Sequence, residues 1–160
     1  MTHEEVFARW ARSRCYRCDG VRRHDVAGRR AAAAGAERPQ PRLSDLMQGA
    51  QVAHIKLWYA GKAGNWGLAT YETKQLKARL EDAAQLYQSL PVNDVTTMAK
   101  PLDAVSAAIA AKDAREFARA YDDLTAGCNS CHRELKLGFV HLRTPASNPF
   151  SDQNFAPGKK

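Results

Sequence analysis

Cys128-Asn129-Ser130-Cys131-His132 restricts the chain more than any other stretch. The spacing sets two thiols and an imidazole at i, i+3 and i+4, positions that share one side of a helix. Such a set can meet one flat partner. The thiols add across the two vinyl groups of a porphyrin, and the adjacent imidazole binds its iron from one face. C-x-x-C-H is the attachment pattern of a c-type haem. The stretch therefore demands a helix at its own position and room for a porphyrin beside it. Thr125, Ala126 and Gly127 are small and are expected to leave that room. A Cys pair at this spacing also occurs as a redox disulfide or as half of a zinc site. Cys15 and Cys18 form a second pair, so a four-thiolate zinc site is formally open, although about 110 residues separate the two pairs.

The sequence around the motif reads as helix throughout. A first helix is predicted from about Leu43 to Ala60, capped by Ser44 or Asp45. Leu43, Leu46, Met47, Ala50, Ala53, Leu57 and Trp58 form its apolar stripe, with His54 inside it. Gly61 and Gly64 end it. A second helix is predicted from Asn65, as N-cap, to Leu90, where Pro91 stops it. Trp66, Ala69, Leu76, Leu80, Ala83 and Leu86 or Tyr87 give its inward face.

The third helix is predicted from about Asp94 to Ala111, kinked at Pro101 or regular only from Lys100. Leu102, Val105, Ala108 and Ile109 face inward. Asp113 opens the fourth helix, which carries Phe117, Ala118, Tyr121, Leu124 and the motif, and is expected to end near Gly138. No stretch alternates as a strand would. The pattern is all-α, and short loops between four amphipathic helices predict an antiparallel four-helix bundle with the haem motif in the last helix. The bundle domain spans residues 42–145 and a non-helical tail residues 146–160; Phe139, Phe150 and Phe155 could pin the end of the chain to the bundle.

Residues 1–41 differ. They hold nine Arg, no Lys and five acidic residues, and show little apolar periodicity, so disorder or a poorly packed helix is expected. Haem c implies export to the periplasm, yet these residues lack the apolar core of a signal peptide. The run Ala31 to Ala34 with Gly35 and Ala36 resembles the small-residue end of one. The expectation is that residues up to about 30 do not belong to the mature chain.

The net charge is +7 overall, but only +3 of it falls on residues 42–160. No basic stripe with interleaved aromatics appears, so a nucleic-acid partner is not expected. No run reaches the eighteen or so apolar residues of a membrane span. His141 is expected at the surface, and Lys56, Lys62, Lys74 and Lys77 on a solvated face.

On these residues the chain resembles the cytochrome c-prime superfamily, helical bundles with C-x-x-C-H in the last helix. His54-Ile55-Lys56-Leu57-Trp58, Asn65-Trp66, Tyr71-Glu72 and the tail from Asn148 to Phe155 are similar to a group of proteobacterial monohaem c-type cytochromes. The resemblance covers about residues 42–157 and implies a haem c cofactor, its iron held by His132. Dimers are common in that superfamily, which makes a homodimer an implied option.

The opposite face of the iron decides the function. Met or His there suits electron transfer; an open position suits a small gas molecule. If helix 1 runs antiparallel to helix 4, Met47 is roughly level with His132 and His54 lies about 10 Å further along. Met47 is thus the preferred sixth ligand, His54 the second choice and an open site the third. The expected function is single-electron transport by a monohaem cytochrome, not catalysis. A five-coordinate gas-binding or sensing protein is the alternative, and a non-haem thiol or zinc protein a weaker one. Nothing in the chain specifies a redox partner protein.

Overall fold

The structure, a computed structural model, describes residues 39–158 except Pro91 and the side chains of 92–97. The expectations for the N-terminal segment, including Cys15 and Cys18, lie outside the described residues. Four helices follow in order: α1 Leu43–Lys62, α2 Trp66–Leu86, α3 Val92–Ala111 and α4 Ala114–Glu134. Among the described residues there is no strand, and no helix is long and apolar enough to cross a membrane. The class is all-α. Each helix packs on its neighbour in sequence, and α1 also meets α4.

Two connections share one design. At the end of α1, Gly64 takes φ +68°, and Asn65 N–H bonds back to the Ala60 carbonyl at 2.9 Å. That closes the helix as a Schellman turn. Asn65 then starts α2, its side chain accepting from Leu68 N–H at 3.1 Å. The α3–α4 connection repeats this with a lysine in the left-handed position: Lys112 has φ +55°, and Asp113 N–H bonds to the Ala108 carbonyl at 3.0 Å. Asp113 in turn caps α4, its carboxylate accepting from Arg115 and Glu116 N–H groups at 2.9 and 3.0 Å.

Other boundaries differ from the sequence expectation. The N-cap of α1 is Arg42, with no side-chain cap bond; Asp45 pairs with the Arg42 guanidinium at 3.2 Å instead of capping. The helix α2 ends at Leu86, four residues before Leu90, and Leu86 is exposed. Pro101 does not divide α3, which runs unbroken from Val92 to Ala111. Burial of Met98, Leu102, Val105, Ala108 and Ile109 on both sides of the proline outweighs the one backbone bond it removes.

The core gathers Leu57, Leu76, Leu102, Val105, Ile109, Phe117, Tyr121 and Leu124 with small residues Ala50, Ala53, Ala60, Ala69, Ala108 and Ala120. Burying each large apolar side chain stabilises by about 1.5–3 kcal/mol. Gly61 is buried because nothing larger fits: a Cβ there would lie 2.2 Å from the Phe117 ring. Trp58 and Trp66 lie against Phe117, at 6.3 and 6.0 Å between centroids. The tail is held by Phe155, which is buried and lies 5.6 Å from Tyr59. Phe150 packs beside it, whereas Phe139 is 82 % exposed and holds nothing.

Candidate functional site

The motif occupies the last turns of α4, with Cys128 on the helix's inward side. Phe117, Tyr121 and Leu124 precede Cys128 at helical spacing on the same stripe. Cys128 packs against the core, and burial pushes its thiol up to about 11; the neighbouring Cys131 adds to the shift. A half-buried thiol packed beside apolar groups, its pKa raised, is not poised as a redox nucleophile. Cys131 and His132 are half-buried.

The helix stops just past the motif. Lys136 takes φ +62°, its N–H bonds to the Arg133 carbonyl at 3.0 Å, and Leu137 N–H bonds to the His132 carbonyl at 2.7 Å. This second lysine-based Schellman turn ends α4 at Glu134, not near Gly138. The chain then returns beside the motif. Val140 offers its carbonyl to His132 Nδ1 at 2.7 Å. A carbonyl can only accept, so Nδ1 carries a proton there and Nε2 is the nitrogen left to act as a ligand. An imidazole held this way can bind a metal only through Nε2.

Asn129 fixes the returning segment. Its Nδ2 donates to the Leu142 carbonyl at 2.9 Å, and its Oδ1 accepts from Leu142 N–H at 2.8 Å. Further along, the Thr144 hydroxyl donates to Asp122 at 2.8 Å. Asn129 is buried, unlike Ser130 beside it. Sequence reasoning missed it, because the two intervening positions of C-x-x-C-H accept many residues and carry no signal of their own.

His54 is buried on α1, and both ring nitrogens are engaged by α4. Thr125 Oγ1 donates to the Tyr121 carbonyl at 2.9 Å, so it accepts from His54 Nε2–H at 2.9 Å. The Tyr121 hydroxyl lies 2.9 Å from both His54 Nδ1 and the His54 carbonyl. The rings stack at 4.5 Å. Burial lowers the His54 pKa to about 4 and raises that of Tyr121, so both are neutral at ordinary pH. In this arrangement Nε2 carries the proton and Nδ1 lies against the Tyr121 hydroxyl, so neither nitrogen faces open space for a metal. The ring's side-chain partners both come from α4. Tyr71 is exposed; Glu72 is buried, which raises its pKa, while Lys56 and Arg79 oppose the shift.

Met47 is half-buried and lies seven residues before His54, two turns along the same face of α1. The space expected beside Gly127 is taken by another methionine. Met98, buried on α3, puts its Sδ 2.8 Å from where a Gly127 Cβ would stand. Thr125 is likewise committed to the core, and Ala126 is exposed. His141 is exposed, as expected.

Among the described residues, no three His, Cys, Asp or Glu side chains converge as a metal cluster. Two cavities, of about 460 and 390 Å³, lie away from the motif. One lies between α2 and α3 around Trp66, Thr73 and Ile109, the other under the tail at Tyr59 and Asn154. The buried Trp58 Nε1 and Tyr59 hydroxyl have no hydrogen-bond partner among the described residues. No family model, no curated protein and no solved structure matches the chain.

Proposed function

We propose that the chain is a periplasmic monohaem c-type cytochrome that carries single electrons. Cys128 and Cys131 would hold the porphyrin covalently, and His132 Nε2 would bind its iron. The observation that carries this reading is the state of His132. Its Nδ1 is tied to the Val140 carbonyl, which leaves Nε2 as the nitrogen for a metal, within one turn of both thiols on α4. Metal-ligating histidines are oriented in this way by a bond from the second nitrogen. The bound group supplies the one-electron couple; the protein tunes it through axial ligands and burial.

Contacts between α1 and α4 support an antiparallel bundle with Met47 as sixth ligand. His54 on α1 meets Tyr121 and Thr125, and Gly61 meets Phe117. The partner number on α4 falls as the number on α1 rises. Stepping back seven residues from His54 to Met47 moves about 10 Å along α1, to the level of residues 130–132. Met47 shares the stripe of His54, which already faces α4. His54 itself is committed to Tyr121 and Thr125, which disfavours it as the ligand.

An optical spectrum of protein matured in a host with haem-attachment machinery tests the proposal. A sharp low-spin α band after reduction is expected. A broad high-spin spectrum that shifts with CO would replace electron transfer by gas binding. No Soret band would remove both.

A further inference from the structure

We infer that Asn129 is a positioning residue for His132, acting through the returning segment; the inference rests on the haem reading above. The segment after Lys136 has no regular secondary structure to hold it. Its carbonyl at Val140 nevertheless stands 2.7 Å from His132 Nδ1. Three attachments put it there. The Schellman turn bonds Leu137 N–H to the His132 carbonyl, and Val140 N–H bonds to the Leu137 carbonyl at 2.8 Å. Two residues on, Leu142 is held at both its N–H and its carbonyl by the Asn129 amide. The Thr144–Asp122 bond further out is solvent-exposed and holds less firmly.

Asn129 is 7 % exposed, and its paired bonds are part-buried. They close a loop that begins and ends on α4, with His132 and its carbonyl partner inside it. The first variable position of the attachment motif thereby fixes the bond that sets the ring's tautomer and angle.

The consequence is electronic. A carbonyl accepting from Nδ1–H makes Nε2 a stronger donor, which favours iron(III) over iron(II). Releasing Leu142 lets the Val140 carbonyl drift, and the ring loses that bias. The test uses the matured, full-length protein, with Asn129→Ala, Leu142→Pro and the double variant. The proline removes the Leu142 N–H while leaving Asn129 in place. Each single variant should shift the iron equilibrium about tenfold toward iron(II), a rise of about 59 mV in reduction potential. The double variant should shift no further than either single one, because both break the same clamp.

Unchanged potentials in haem-loaded variants, or two shifts that simply add, overturn the inference while leaving the cytochrome reading intact. Proton NMR of the reduced wild type gives a readout that needs no variant. The His132 Nδ1 proton and the Leu142 amide should exchange slowly with solvent. Fast exchange of either proton overturns the inference even where a variant fails to mature. Wild-type protein without covalent haem would overturn the functional reading itself, and the role of Asn129 with it.

Discussion

Acidification should destabilise this protein through His54 in particular. The ring is 2 % exposed, and burial lowers its pKa from 6.5 to about 4. The unfolded chain therefore binds a proton near pH 6.5 that the folded chain refuses until about pH 4. Between those values the unfolded state holds more protons, so stability rises with pH. The full contribution is present above pH 6.5 and is lost as pH falls toward 4. A displacement of about 2.5 pH units corresponds to about 3 kcal/mol.

Glu72 works the other way. Burial raises its pKa, so its contribution declines as pH rises through that value. The comparison must therefore be with a variant that keeps Glu72. His54→Gln cannot titrate but offers an amide to Thr125 and Tyr121. Urea unfolding of both proteins between pH 7.5 and 4 gives the two stability profiles. The wild type should lose about 3 kcal/mol more than the variant across this window. Parallel profiles would mean that water or charge reaches the ring in the folded state, and would refute the argument.

Gly61→Ala should lower stability by about 1–3 kcal/mol, because the new Cβ would meet the rigid, buried Phe117 ring at 2.2 Å. Gly127→Ala should cost less, since its obstacle at 2.8 Å is the flexible Met98 thioether; equal losses in urea unfolding would contradict the distinction. Asn65→Ala should cost about 1 kcal/mol as a lost helix cap. It should also speed proteolysis of the tail, because Asn65 Nδ2 holds the Ala156 carbonyl at 3.2 Å. A tail cleaved no faster would show that Phe155 alone pins it. Met47→Ala should convert the reduced low-spin spectrum to a high-spin one that responds to CO; an unaltered spectrum would exclude Met47 as the sixth ligand.

Periodicity made the helices legible because burial decides their positions. Leu57, Leu76, Val105 and Phe117 are buried where a 3.6-residue stripe puts them. Asn65 and Asp113 were readable as caps because their side chains suit that role in a local setting. The end of α3 at Ala111 was legible, that of α4 less so. Lys112 and Lys136 adopt left-handed backbone despite carrying a Cβ, so glycine-based reasoning placed the end of α4 at Gly138. The surroundings of the motif depend on contacts distant in sequence. Thr125 and Tyr121 reach His54 across 71 and 67 residues, and no local pattern announces such a pairing. Asn129 gave no signal, because its role exists only once the chain turns at Lys136 and comes back.

The central claim is tested most directly by weighing one peptide. Trypsin should release the stretch Ala120–Arg133, which contains both thiols and the imidazole, from protein matured with haem-attachment machinery. Its mass should exceed the sum of its amino acids by about 600 Da, one haem joined through two thioethers. A peptide at its bare mass, from protein exported and matured under those conditions, would contradict the account.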